Sequence, residues 1–544
     1  MENIVTSPDA ASIPDSGKAP TKSVWAPLKH PAFRILMMGN IAILLGGWMQ
    51  DIAVAWLMTS LAPEPMMVAL LQTAIYLPFV LLSLPAGAIA DIFNRRTVLL
   101  CAQVWVFVGV IILGLLTING VMTSWMLLLL LFLVGLGWAM YSPAWNALAP
   151  ELVPREELEN AIALNAASFN FCRGIGAALG GAVVSGSGPG SAILINAATM
   201  IAMLAALLWW KPAPKDNYLP AERVVGAMKA GMRYVRHSEA LRAVIIKTIV
   251  FVACASAVWS FLPLMAKQQY GLNAAQYGIV LSLFGIGNLL GATIIPLARK
   301  HLSMDLLFMV SALIFACTMG ALPFIHSFVL ACVAMFFAGL VWIMVNAALN
   351  AGVLTSVPAW VRARAIAVFL FTFQGCLAGG SLVWGTFASY TSMPMTLLTA
   401  AALLAIGTVC SAPFKVISSE NTDLRTPRAP EPNIIKDPHP DHGPVLVTVE
   451  YLIDPERMSE FRQTMAGLEI LRRRNGAYQW YLFGDLGKAG RYVETFFVEN
   501  WGEYRRHMQR GTVDDNNAEK RANEFHLGDG PPPISHMLAE KRKS

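Results

Sequence analysis

The sequence predicts an all-α membrane protein, with twelve transmembrane helices in two six-helix lobes, followed by a small cytoplasmic α+β domain. Four observations predict it. Of 544 residues, 56% are hydrophobic and 14% charged, with a mean hydropathy of +0.54, whereas a water-soluble domain carries about 25% charged residues. Apolar runs of the length that crosses a hydrocarbon core of about 30 Å recur between Phe33 and Phe414. The chain also repeats itself at an offset of 204 residues, and its composition changes completely after Phe414.

In chain order, residues 1–28 contain Glu2, Asp9, Asp15, Lys18 and Lys22 without an apolar core, so a disordered cytoplasmic tail and no cleavable signal peptide are expected. Candidate spans fall near 33–58, 66–90, 97–118, 124–147, 159–184, 190–210, 241–265, 276–298, 304–325, 327–350, 362–388 and 394–414. The first six form an N-terminal lobe, 29–210, and the last six a C-terminal lobe, 241–414. Even-numbered connections carry Arg95, Arg96, Arg155, Lys211 through Arg242, Arg299, Lys300, Arg362 and Arg364; the odd-numbered ones carry Lys267. Because short cytoplasmic loops are enriched in Lys and Arg, both termini are expected in the cytoplasm. The linker 211–240 places Val224, Val225, Met228, Met232 and Val235 opposite Arg223, Lys229, Arg233 and Arg236 on a helical wheel. That pattern suits a helix in an anionic headgroup plane, or a solvated linker helix.

The repeat is read without gaps. Residues 135–185 match 339–389 at 17 of 51 positions, among them Gly135 with Gly339, Trp138 with Trp342, Asn146 with Asn350 and Pro154 with Pro358. Two parallel six-span repeats follow, an arrangement that places a transport site between lobes near the membrane midplane. Residues 415–442 are rich in Pro and charge and read as a flexible tether. Within 443–544, alternation predicts strands at 445–453, 477–483, 491–498 and 534–539, with one helix carrying Met458, Phe461, Met465 and Leu468 and another carrying Trp501, Tyr504 and Met508. The order is βαββαβ.

Gly87-Ala-Ile-Ala-Asp91-Ile-Phe-Asn-Arg95-Arg96 resembles the loop signature of the major facilitator superfamily, departing from it at Ile92 and Asn94. The resemblance implies a conformational latch formed by Gly87, Asp91, Arg95 and Arg96. Gly46-Gly-Trp48-Met-Gln50, Ser142-Pro-Ala-Trp145-Asn146 through Leu158, and Asn165, Phe169, Asn170 and Arg173 together resemble the bacterial facilitator subfamily related to the enterobactin exporter. This likeness covers most of 25–415 and names no substrate. The glycine runs Gly174-Ile-Gly176-Ala-Ala-Leu-Gly180-Gly181 and Gly285-Ile-Gly287-Asn-Leu-Leu-Gly291 lie inside apolar spans without a preceding strand, so they read as helix packing through Gly176, Gly180, Gly287 and Gly291, not as dinucleotide loops. The first run also resembles the fifth-span motif of facilitator antiporters, with Ala177 in place of its proline. The C-terminal unit resembles the ferredoxin-like antibiotic-biosynthesis-monooxygenase-like fold through Gly476-Ala-Tyr478-Gln-Trp480 and Val493-Glu-Thr-Phe496. That resemblance implies a homodimer through 443–544. Trp480, His507 and His536 are conceivable pocket residues there, without a nucleophile or cofactor loop beside them.

Charges inside a span need a partner or a function. Asp51 and Arg173 both lie about 20–27 Å from the cytoplasmic helix starts at ~1.5 Å per residue. They read as a buried pair or a proton-coupling site, against Asp51 lying at the outer interface. Lys247, near a helix end, is expected to snorkel. In the facilitator fold the first, fourth, fifth and tenth spans face a central cavity. The resemblance therefore assigns Gln50, Trp56, Trp138, Tyr141, Trp145, Asn146, Asn165, Asn170, Trp342, Asn346 and Asn350 to it, a lining suited to a bulky amphipathic ligand.

The seven cysteines stand in apolar runs without ligand spacing, and the histidines avoid span centres, so no metal and no cofactor is expected. A Walker-type phosphate loop is absent from the sequence. The reading is a secondary transporter of the bacterial inner membrane and not an enzyme: an exporter of a siderophore or drug-like molecule, with the lipid bilayer, protons and a small-molecule substrate as partners and no nucleic acid. Proton coupling comes from the resemblance alone. An importer of the same fold and a membrane-tethered oxygenase or sensor remain the alternatives.

Overall fold

The computed structural model describes residues 23, 25–92, 94–211, 238–358, 361–415, 438–439, 441–510 and 512–539. Among these, twelve helices are long and apolar enough to cross a membrane. They are α1 (Pro31–Leu61), α2 (Pro65–Ile92), α3 (Arg95–Ile118), α4 (Ser124–Asn146), α5 (Leu158–Ser187), α6 (Pro189–Trp209), α7 (Glu239–Gln268), α8 (Ala274–Ala298), α9 (Met304–Ala321), α10 (Phe328–Thr355), α11 (Arg362–Tyr390) and α12 (Met393–Cys410).

Local chemistry sets the ends. Pro31, Pro65 and Pro189 open helices at positions where a missing N–H costs nothing. The side chains of Asn94, Thr123, Ser238, Ser303 and Ser392 accept bonds from first-turn amides, and Asn273 with Gln276 forms a reciprocal capping box. Gly188 alone joins α5 to α6, at φ 85°, a conformation that disfavours a β-carbon. A 3-10 turn at Ala26–Lys29 precedes α1 and buries Ala26 and Pro27. Packed structure therefore begins before residue 29, because this proline-containing turn covers apolar surface. The amphipathic linker pattern at 223–236 lies outside the described residues.

Within residues 31–209 the main packing pairs are α1 with α5 and α6, α2 with α4, and α3 with α4 and α6. Within 239–410 they are α7 with α11 and α12, α8 with α10, and α9 with α10 and α12. Adding six to each helix number in the first set gives the second. Two further pairs, α5 with α8 and α2 with α11, cross between the halves and exchange under the same operation. Glycines permit several of these approaches. A methyl group at Gly180 would fall 2.7 Å from Met49 Cα, and one at Gly287 2.1 Å from the Phe336 carbonyl oxygen.

Contacts between the halves run from the end bearing the odd-numbered connections to the middle of the spans. Thr73 Oγ1 donates to Ala378 O (3.0 Å), Ser282 Oγ to Gly174 O (2.7 Å) and Lys267 Nζ to Ser60 Oγ (2.7 Å). Polar contacts at the opposite end hold elements of one half together: His30 with Glu157 (3.0 Å), Arg95 with Glu151, and Lys247 with Asp305.

After the twelve helices comes a four-stranded antiparallel sheet, ordered β2-β3-β1-β4, with β1 Val445–Leu452, β2 Gln479–Gly484, β3 Arg491–Val498 and β4 Ile534–Leu538. Helices α13 (Met458–Asn475), α14 (Trp501–Arg510) and α15 (Val513–Asn523) accompany it. The third helix is additional to the two expected. Polar nearly throughout, it offers little apolar periodicity, and it starts at a Thr512–Asp515 capping box. One sheet face buries Val445, Val447, Val449, Tyr451, Phe496 and Val498.

Candidate functional site

Helix geometry decides which side chains of α1 meet the space between the halves. Trp48 and Asp51, three residues apart, share one side. Gln50 lies about 200° from Trp48 at 100° per residue and points the other way, where its Oε1 accepts from Asn196 Nδ2 of α6 at 2.8 Å. It is buried, so the expectation that Gln50 lines the cavity is corrected.

Arg173, halfway along α5, has its guanidinium carbon 5.0 Å from the Trp48 ring centre, 5.1 Å from Trp259 of α7 and 4.6 Å from Phe284 of α8. These rings come from both halves. Glycine places them there, since a methyl at Gly285 would stand 2.7 Å from Gly174 Cα. Trp259 and Phe284 meet edge to face at 4.9 Å. Trp342 packs behind both, at 5.5 and 6.2 Å, within a cluster that includes Phe251, Phe315 and Phe373. Trp342 is therefore buried support for the cage and not cavity lining.

Asp51 is exposed and lies within electrostatic range of Arg173, Tyr76 of α2 and Tyr277 of α8. An exposed side chain with α2, α5 and α8 in electrostatic range faces the space between the halves. Direct pairing with Arg173 is not found among the described residues: the guanidinium lies over the three rings. Trp56 stacks on Tyr277 at 6.0 Å, with Lys267 Nζ 5.5 Å from the Trp56 ring. Lys247, 2% exposed, reaches Asp305 in the first turn of α9 instead of water and lies 5.3 Å from the Phe308 ring.

Other expected residues separate into two groups. Trp145, Asn146 and Asn165 line a cavity of about 230 Å3 with Phe33, Met37 and Leu152. Asn165 Oδ1 accepts from Asn40 Nδ2 (3.2 Å) and Trp145 Nε1 (3.4 Å), while Tyr141, buried, bridges Trp138 and Trp145 by ring contacts at 5.3 and 6.1 Å. Asn170, Asn346 and Asn350 instead donate to carbonyls one turn back on their own helices, Ala166, Trp342 and Asn346. Arg95 reaches Ala147 O (2.7 Å) and Glu151, and Arg96 reaches Leu207 O (2.8 Å) and Leu208 O (2.7 Å), all in the first half. The surroundings of Gly87 and of the Asp91 side chain lie outside those described. Methyl groups at Gly176 and Gly291 would meet Trp48 Cβ (2.7 Å) and Leu340 O (2.5 Å).

In the C-terminal unit, fully buried Glu494 accepts from Arg472 Nε (3.1 Å), Trp480 Nε1 (2.9 Å) and Tyr451 OH (3.4 Å). These carboxylate contacts and a second acid, Glu519, raise the Arg472 pKa despite burial. Tyr504 OH meets His536 Nε2 at 2.5 Å, and His507 stacks on Tyr504 at 6.3 Å. Trp480, His507 and His536 are thus engaged in the packing of the unit. Among the described residues, no group of three or more His, Cys, Asp or Glu is placed to hold a metal.

Trp48, Tyr76, Trp259, Tyr277 and Phe284 were not anticipated as site residues. An aromatic residue inside an apolar span carries no mark of which way it points.

Residues 22–544 match the family described as transmembrane secretion effector. The staphyloferrin A transporter of Staphylococcus aureus is 21% identical over 378 residues, covering 68% of this chain and 92% of that one. Macrolide efflux protein A of Streptococcus pyogenes is 20% identical over 271 residues, 49% of this chain and 67% of that one. Among solved structures, a POT family transporter in complex with 5-aminolevulinic acid superposes with a TM-score of 0.59 at 14% identity, covering 71% of this chain and 96% of that one. The nucleoside transporter NupG superposes at 0.54 with 15% identity, covering 70% and 98%. The chain belongs to the transmembrane secretion effector family and is a multi-pass membrane transporter of the major facilitator type.

Proposed function

We propose that this transporter is a proton-coupled exporter of a small amphipathic compound, siderophore or drug-like, in the bacterial inner membrane. Its two six-helix lobes rock about the site between them, and both termini are cytoplasmic. The observation that carries the reading is Asp51, an exposed carboxylate within electrostatic range of Arg173 of one half and Tyr277 of the other, beside a seam that closes one end. Given the Lys and Arg excess in the even-numbered connections, the closed end faces outward and the site is reached from the cytoplasm, the state in which an exporter loads. Relatives named for staphyloferrin A and for macrolide efflux support a small-molecule cargo, and the enterobactin-exporter-like motifs agree with it. Gly87, Asp91, Arg95 and Arg96 act as the latch in the opposite state, when the cytoplasmic end closes.

The C-terminal unit is a ferredoxin-like cytoplasmic module, similar to the antibiotic-biosynthesis-monooxygenase-like fold. It pairs two transporters and is not an enzyme. Its sheet order, and the engagement of Trp480, Glu494 and His536 in internal bonds, support that reading. Reconstituted into vesicles, the full chain should move substrate in response to an imposed pH difference, Asp51→Asn should abolish that response, and a chain ending at residue 442 should retain it. Transport indifferent to the pH difference would remove proton coupling. Activity lost with the tail would favour the sensor reading.

A further inference from the structure

The chemistry of the central space selects a charge. Among the described residues, the charged side chains near the middle of the spans are Asp51 and Arg173. Lys247 is committed to Asp305, and Lys267 to Ser60 and the Thr59 carbonyl near the helix ends. Arg173 is half-buried, and its guanidinium is turned to rings, within 5.1 Å of the Trp48, Trp259 and Phe284 ring centres. Such faces carry negative charge density and satisfy a cation without a carboxylate. Asp51 is exposed, with Tyr76 and Tyr277 in electrostatic range and Trp56 stacked on Tyr277.

An anion entering here meets an exposed carboxylate, while the nearby cation is half-buried and shared among three rings. A cation finds a carboxylate in a low-dielectric setting, where attraction is strongest, and aromatic walls for its apolar body. Resting on the reading that substrate occupies the space between the halves, we infer that the transported class is an amphipathic monocation, an amine or quaternary onium group on an apolar frame, bound through Asp51. Arg173 is a positioning residue that keeps the rings of both halves around its own charge.

Two probes of nearly equal shape and opposite charge, tetraphenylphosphonium and tetraphenylborate, test this on the purified full-length transporter by titration calorimetry. Saturable phosphonium binding is expected, with borate at least about 10-fold weaker, the scale of one charge-assisted contact. Asp51→Asn should weaken phosphonium binding by about the same factor, and Asp51→Glu should preserve it, which separates a charge effect from misfolding. Borate binding as tight as phosphonium, or phosphonium affinity unchanged in Asp51→Asn, would overturn the cation class while leaving a central site intact. If neither probe saturates, the cation class fails as well. Vesicle transport driven by the pH difference then decides whether the exporter reading fails with it.

Discussion

Arg173 and Trp259 belong to different halves of the chain, yet the guanidinium carbon of one lies 5.1 Å from the ring centre of the other. With Phe284 at 4.6 Å, the cage spans the α5–α8 seam, so separating the halves at that end must uncover a cation from its rings. Each desolvated cation–π contact contributes about 1–2 kcal/mol. Trp259→Ala should therefore shift the equilibrium toward opening at the odd-loop end by about 5- to 30-fold. Spin labels at Ser187 and Gln268, read as distance distributions, would check it; unchanged populations would deny the cage a part in closure.

Gly278 makes a complementary prediction about backbone contact. A methyl there would stand 2.6 Å from the Ala177 carbonyl oxygen and 2.9 Å from Gly181 Cα, and neither atom belongs to a side chain that can move aside. Gly278→Val should hold α5 and α8 apart, at a cost of about 1–3 kcal/mol to the closed arrangement. The expected outcome is a folded protein with transport reduced about 10-fold or more and the same label pair shifted to longer distance. Wild-type transport would show that this approach is dispensable.

The lengths and ends of the spans were legible because each depends on a local signal: an apolar run, a helix-opening proline, a capping Asn, Ser or Thr. The internal repeat was legible for the same reason, and the packing pairs follow its six-helix shift. Rotation about each helix axis was not. Asp51 and Arg173 have matching depths, which suggested a pair, but depth does not reveal azimuth, and the guanidinium turned to three rings. Gln50 and Trp342 were misassigned for that reason, and the acid that meets Lys247 near the helix end, Asp305, was hidden 58 residues away in sequence. The runs around Gly174 and Gly285 did mark close helix approaches; that they mark the meeting of the halves required the structure.

Glu494 supports a stability prediction for the C-terminal unit. Its carboxylate is fully buried and bonded to Arg472, Trp480 and Tyr451. Glu494→Gln leaves Arg472 without its buried counter-charge, although Glu519 still contacts it. The expected loss is about 3 kcal/mol, the lower end of the range for breaking a buried pair. Arg472→Met combined with Glu494→Gln should lose less than the two single losses added together. Urea unfolding of residues 443–544 measures all three variants, and strict additivity would show that the pair does not act as a unit.

His536 sets a pH dependence of known sign. Burial lowers its pKa below the ordinary 6.5. Its neighbour Tyr504 is pushed up to about 12 by burial, so the phenol keeps its proton and shares a hydrogen bond with the neutral imidazole. The unfolded chain takes up a proton near 6.5 and the folded chain only at lower pH, so folded-state stability rises with pH in that window. This contribution is complete above 6.5 and is lost as pH falls through the folded value. Asp485, lowered by its bond from Arg491, acts in a separate window below its ordinary 3.8. Fragment 443–544 should weaken between about pH 7 and 5, and His536→Gln should flatten that slope. An identical slope in the variant would assign the effect to another group.

Pairing through the open sheet face is the remaining prediction. Register places Leu446 beside Phe497 and Met537, and Phe483 beside Val493, on the face opposite the buried Val445, Val447 and Phe496. Tyr481 and Phe483 on β2 are 49% and 54% exposed, and Met537 on β4 is 52% exposed, so apolar surface runs across the sheet from edge to edge. Burying such a face at about 25 cal/mol per Å2 favours association, and a two-fold pairing presents the same patch from each copy. The fragment 443–544 should sediment as a dimer at micromolar concentration, and Phe483→Glu should give a folded monomer by placing a charge within the patch. A monomeric wild-type fragment would remove pairing and leave the face to another partner; a dimer unaffected by Phe483→Glu would move the interface elsewhere on the unit.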